Sequence, residues 1–234
     1  MTIPVQEQEI LLELVKKHNL CPKCGGNDSN CESYWPIIVE QHKINSNIPI
    51  HYREKTLKDI DEPKLKPVLK KLKDYVDLAT YYRKSGKGLY LYGDPGTAKT
   101  SVGCIMLIEL IKKRFSAYYT DLDEYLQSQF GSEDYDEDLD RDLKETIDFV
   151  LLDNMGREYH DSKGFKKVKI EELIRKRTDN RLPIIIISNL PEKELMASNA
   201  KLSSILKEHF LAPVHFDCPD YREKIRKENE TGKK

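Results

Sequence analysis

No apolar run in this chain reaches the ~18 residues that a membrane-spanning helix needs, and neither sign of charge dominates. Lys and Arg number 39 against 40 Asp and Glu, for a formal net charge of −1. A global basic excess for gripping nucleic acid is therefore missing, and any such contact has to be local. Cysteines are few, five in 234 residues, odd in number and partly clustered. That pattern argues against a secreted disulfide scaffold and favours a reducing cytoplasm. Gln6 to Glu9 are polar and acidic and the apolar stretch after them is short, so no secretory signal is expected. Internal repeats are absent. The 38% hydrophobic content suffices for a core, and the length suits one domain with a small appendage.

Residues 89–101, Leu-Tyr-Leu-Tyr-Gly-Asp-Pro-Gly-Thr-Ala-Lys-Thr-Ser, dominate the rest. Leu89 to Tyr92 read as a buried strand that turns through Gly93, Asp94, Pro95, Gly96, Thr97 and Ala98 into a helix from Lys99, Thr100 and Ser101. This is the phosphate-loop pattern, with Ala98 where the strict form has glycine. The glycines let several backbone N–H groups converge on one anion, and the helix start adds the positive end of its dipole. Lys99 would reach the phosphates and the Thr100 hydroxyl would ligate magnesium. The alternative is a glycine-rich turn that binds nothing.

Phe149-Val-Leu-Leu-Asp153 supplies the matching half. An Asp at the carboxyl end of a buried strand holds magnesium in nucleoside triphosphatases. A further apolar run, Pro183 to Ile187, ends in Ser188 and Asn189. Asn189 would orient an attacking water from a strand beside Asp153, or else cap the helix that follows.

Elsewhere the periodicity predicts an amphipathic helix over 5–17, which either packs on its own domain or grips a partner. Cys21, Cys24 and Cys31, with Gly25 and Gly26, have the spacing of one zinc knuckle. His18 or His42 would complete it, His18 being preferred; a redox pair or plain buried thiols are the other readings. Residues 43–50 read as a linker, 64–84 as one helix, 121–130 as a short helix and 168–178 as another. Residues 132–148 hold nine acidic and two basic residues and read as a solvated loop and helix start. A basic stretch, 163–181, includes Lys163, Lys166, Lys167 and Lys169.

The assembled order resembles the AAA+ ATPases, and more closely the helicase loaders of the DnaC and DnaI type with the transposition helper IstB. The residues that carry the resemblance are Tyr-Gly-Asp-Pro-Gly-Thr-Ala-Lys-Thr at 92–100, Leu-Leu-Asp-Asn-Met-Gly at 151–156, Leu-Ile-Arg-Lys-Arg-Thr-Asp-Asn-Arg-Leu-Pro at 173–183 and Ile-Ser-Asn-Leu-Pro-Glu-Lys-Glu-Leu at 187–195. The resemblance implies an α/β fold, a P-loop AAA+ domain over 46–220 with a parallel sheet sandwiched by helices. A helix and zinc-knuckle partner-binding module over 1–45 would precede it, and a charged tail, 221–234, would follow.

The resemblance further implies ATP and Mg2+ as cofactors, beside the Zn2+ expected from the knuckle spacing, with Thr100 and Asp153 on magnesium, Asn189 as a sensor and Arg177 as an arginine finger for a neighbouring subunit. Two positions depart from the family pattern. Asn154 replaces the acid expected after Asp153, which implies slow hydrolysis, and Ile205 replaces a sensing arginine unless Lys201 or Lys207 substitutes. The implied role is an ATP-dependent loader that binds a replicative helicase and single-stranded DNA, the latter through Lys163, Lys166, Lys167 and Lys169, and forms homo-oligomers without touching a membrane. An IstB-like helper on double-stranded DNA and a small-molecule phosphotransferase are the competing readings.

Overall fold

The structure, a computed structural model, describes residues 35–130, 135–156, 165–198 and 200–221. Its centre is a five-stranded, wholly parallel sheet. The strands are β1 (Leu89–Tyr92), β2 (Ala117–Asp121), β3 (Phe149–Met155), β4 (Ile184–Ser188) and β5 (Val214–His215), in the spatial order β2-β3-β4-β1-β5. The strand sequences read as continuous apolar runs because both faces of the sheet are covered. Alternate residues serve two different cores. Leu89, Leu91, Phe149, Leu151, Ile185 and Ile187 face one, while Tyr90, Val150, Leu152, Ile184 and Ile186 face the other. Full burial of each such side chain contributes about 1.5–3 kcal/mol before the entropy of ordering is charged against it.

On the first face lie α1 (Trp35–Asn45), α3 (Lys66–Asp77), α4 (Ala79–Ser85) and α5 (Lys99–Lys112); a single turn, α2 (Ile50–Arg53), also contacts α5. The second face is covered by α6 (Leu122–Phe130), α7 (Glu137–Glu145), α8 (Phe165–Asp179) and α10 (Ala200–His209), with Leu195 of α9 (Glu192–Ser198) joining that core. α5 is apolar almost all round because it lies between the sheet and the outer helices. At Gly103 it comes so close to the sheet that a Cβ would stand 2.5 Å from Leu151 Cδ1. That approach seats the start of α5 directly after the loop that leaves β1.

Several sequence expectations change. Residues 43–50 are not a linker: Lys43, Ser46 and Ile48 are buried, and the Tyr119 amide of β2 donates to the Ser46 carbonyl at 2.8 Å. α1 likewise belongs to the body of the domain, with Val39 in the core and Trp35 Nε1 donating to the Lys112 carbonyl of α5. The part of the 1–45 module that the structure describes is therefore packed on the sheet domain. The single helix expected over 64–84 is two, broken at Leu78, because α4 turns to bury Ala79. The helix at the end of the acidic stretch is capped by Asp136, whose carboxylate accepts from the Leu139 amide at 2.9 Å.

The largest correction concerns Arg177. A finger for a neighbouring subunit must be exposed, and Arg177 is 0% exposed. Its guanidinium donates to the backbone carbonyls of Leu143, Ile147, Asp148 and Pro183, tying α8 to the end of α7 and to both β3 and β4. Burial, with Arg83 next in effect, pulls its pKa down to about 9, so it stays protonated at neutral pH. A planar fork whose two terminal nitrogens reach four carbonyls at once suits this clamp, with the buried Nε–H left unpaired among the described residues, which explains an arginine here without invoking a partner. Removing it leaves buried carbonyls unsatisfied at about 1–3 kcal/mol each. Arg177→Ala should cost at least ~3 kcal/mol and lower the melting temperature by roughly 6–12 °C, as read by thermal unfolding. An unchanged melting curve would contradict the clamp.

Candidate functional site

The carboxyl ends of β1, β4 and β3 open on one side of the sheet, where parallel α/β folds gather their ligands. The loop from β1 to α5 is built from strained backbone. Gly93, Gly96 and Ala98 all have positive φ, at 151°, 85° and 65°. A Cβ at Gly96 would lie 2.1 Å from Asp220 Oδ1, so a larger residue there would also have to displace that exposed carboxylate. Ala98 keeps the left-handed backbone that glycine would adopt more cheaply, and its methyl packs against the core. The departure from the strict loop pattern therefore preserves the loop's shape.

Lys99 opens α5 and is 6% exposed. Its ammonium donates to the carbonyls of Gly93 at 2.6 Å and Asp94 at 2.7 Å, and to Thr97 Oγ1 at 3.3 Å. The next residue reaches across β4: Thr100 Oγ1 donates to Asp153 Oδ2 at 2.8 Å. Asp153 is buried at the end of β3. The same carboxylate accepts from the Tyr119 hydroxyl at 3.3 Å and, through Oδ1, from the Asn154 amide at 2.8 Å. Burial raises the Asp153 pKa, and the Thr100 hydrogen bond opposes that shift.

A cavity of about 290 Å³ lies over these groups, lined among others by Gly96, Lys99, Thr100, Ser101, Asp153, Asn154 and Asn189. Sequence reasoning did not assign its other walls. His51, Tyr52 and Lys55 come from α2 and the segment after it, and Tyr221 comes from the far end of the domain. The Tyr221 amide donates to the Gly96 carbonyl at 2.9 Å and its hydroxyl donates to the Asp59 carbonyl at 2.6 Å. Tyr119 and Asp121 at the end of β2 were missed as well. Asp121 stands beside Asp153 in the parallel register, a pairing of residues far apart in the chain that no local pattern shows.

These donors suit a phosphate-bearing anion with a hard cation. A buried ammonium beside a helix start, on a loop of inward-curving backbone, attracts the anion. A hydroxyl and a carboxylate oxygen side by side are the donors magnesium prefers, and the ion held there would neutralise charge on phosphate oxygens. Asn189 follows β4, next to β3, and reaches the cavity. Ile205 packs against the second core, so its side chain sits with the interior residues.

Other expected residues lie apart from this cavity. Lys166, Lys167 and Lys169 sit on α8, with Lys169 3.5 Å from a Glu172 carboxylate oxygen. Lys163 and the zinc set of His18, Cys21, Cys24 and Cys31 fall outside the described residues. His42 is on α1, 6.4 Å from the Trp35 ring between centroids. Among the described residues no group of three or more His, Cys, Asp or Glu could hold a metal ion, and no helix is long and apolar enough to cross a membrane.

No family model matches the chain. The replicative helicase loader DnaI of Bacillus subtilis (strain 168) is 26% identical, over 79% of this chain and 69% of DnaI. A crystal structure of DnaI superposes with a TM-score of 0.60 at 19% identity, covering 75% of this chain and 95% of that one. The replication initiator DnaA, bound to AMPPCP and single-stranded DNA, superposes at 0.61 with 17% identity, over 80% of this chain and 56% of DnaA. In sequence the chain is similar to the helicase loader DnaI, and it shares the fold of DnaI and of the DnaA nucleotide-binding region.

Proposed function

We propose that this protein is an ATP-dependent loader of a replicative helicase. The observation that carries the nucleotide half is the convergence of Lys99 and the Thr100–Asp153 pair on one cavity at the carboxyl ends of β1 and β3. The helicase half is supported by the similarity to DnaI. In this reading ATP binds with its phosphates on the loop from Gly93 to Ser101, and magnesium takes Thr100 and Asp153. Asn189 meets the terminal phosphate. Hydrolysis is slow, since Asn154 cannot take a proton from water. Assembly into homo-oligomers uses exposed residues other than Arg177. Single-stranded DNA is held through Lys163, Lys166, Lys167 and Lys169.

Lys99→Ala removes charge-assisted bonds of about 1.5–3 kcal/mol, so ATP should bind roughly 10- to 100-fold more weakly by calorimetry. Equal affinity would overturn the phosphate-loop assignment. Affinity capture with the tagged chain in its native host should retain a hexameric helicase in an ATP-dependent manner; recovery of a transposase instead would overturn the loader reading.

The DNA half has its own test. Replacing Lys166, Lys167 and Lys169 together by Gln should weaken binding to single-stranded DNA and flatten its salt dependence. An unchanged salt slope would place the contact elsewhere.

A further inference from the structure

β3 behaves differently toward its two neighbours at the site. It stays in parallel register with β2 through the Asp121–Asp153 pair, but with β4 the register slips between Leu152 and Met155. The residues at the slip are Asp153 and Asn154, and Asn154 has φ +60°. Asn accepts the left-handed region far better than Glu does, so the backbone itself favours the amide found here. A bulge of this kind re-aims a side chain beside a site. Here it brings Asn154 to β2, where its Nδ2 donates to Asp121 Oδ2. The other oxygen of Asp121 accepts from the Asp123 amide at 2.9 Å, which holds the carboxylate still. One Nδ2 hydrogen is taken by Asp121, and since Asn154 lines the cavity, its amide oxygen is the acceptor that the side chain can offer there.

We infer that Asp121 is a positioning residue for hydrolysis: it holds Asn154 so that the Asn154 amide oxygen accepts a hydrogen bond from the attacking water. The inference rests on the ATPase reading proposed above. The water oxygen bonds to the terminal phosphorus as the bridging P–O bond breaks, and ADP leaves with that electron pair. The water's proton passes to the released phosphate and solvent, because an amide does not accept it near neutral pH. The carboxylate missing after Asp153 thus stands one strand away and acts through Asn154.

This arrangement predicts what an acid at position 154 would do. Asn154→Asp sets a second carboxylate against Asp121, and like charges at that range push the side chain out of place.

The test measures steady-state ATP hydrolysis, nucleotide affinity by calorimetry and thermal unfolding on the full chain. The variants are Asp121→Ala, Asp121→Asn, Asn154→Asp and the exchange Asp121→Asn with Asn154→Asp. Asp121→Ala should lower kcat roughly 10- to 100-fold, the scale of a misplaced reacting group, with KM and affinity within about twofold. Asp121→Asn keeps an acceptor oxygen and should retain most of the rate. Asn154→Asp should lose rate alone and recover it in the exchange variant, where an amide again faces a carboxylate. An unchanged kcat in Asp121→Ala, or a faster Asn154→Asp single variant, overturns the inference. A wild-type rate no higher than that of Lys99→Ala would instead remove the ATPase reading itself.

Discussion

The hydrogen bond from Thr100 to Asp153 is the contact on which the site depends. Its partners come from different strands, β1 through its loop and β3 at its tip, and β4 lies between them. Two oxygens of the kind magnesium prefers are held side by side in a largely buried setting, and Asp153 has the raised pKa that burial gives it. Lys99, one residue earlier, is fixed on the loop carbonyls. Small errors in the relative height of β1 and β3 would separate these groups.

That height is set by packing on both faces of the sheet. Two cores share the same strands residue by residue, so no strand can slide without moving apolar side chains of both. Gly103 lets α5 lie close against Leu151 and Ile187, which fixes the helix start that follows the loop after β1. On the other face the Arg177 fork fastens α8 to the carbonyls around β3 and β4. Four backbone acceptors offset most of the cost of burying the guanidinium, whose Nε–H alone is unpaired among the described residues, and rigidity rather than reactivity is what the residue supplies.

Much of this was legible in the sequence. The apolar strand runs, the loop glycines and the Asp at the end of β3 are local patterns, and each forms the element that its pattern predicts. Arg177 was not legible, because the same basic residue before a buried strand serves equally as a surface finger or as an internal clamp; only burial separates them. The segment 43–50 looked like a linker for a related reason. Its polar residues and proline hide Ile48, a single apolar anchor that the core takes up. Asp121 and Tyr119 were missed because their meaning lies in strand register, which joins residues far apart in the chain. Tyr221 reaches the loop from the opposite end of the domain by the same kind of non-local closure.

The central claim is that residues 93–101 and 153–154 form one phosphate and magnesium site. Hydrogen exchange read by mass spectrometry, with and without a non-hydrolysable ATP analogue and magnesium, tests it most directly. The account predicts slowed exchange in both segments together, with the amides around Tyr221 following and those of α8 unchanged. Protection of neither segment, or of α8 alone, would contradict it.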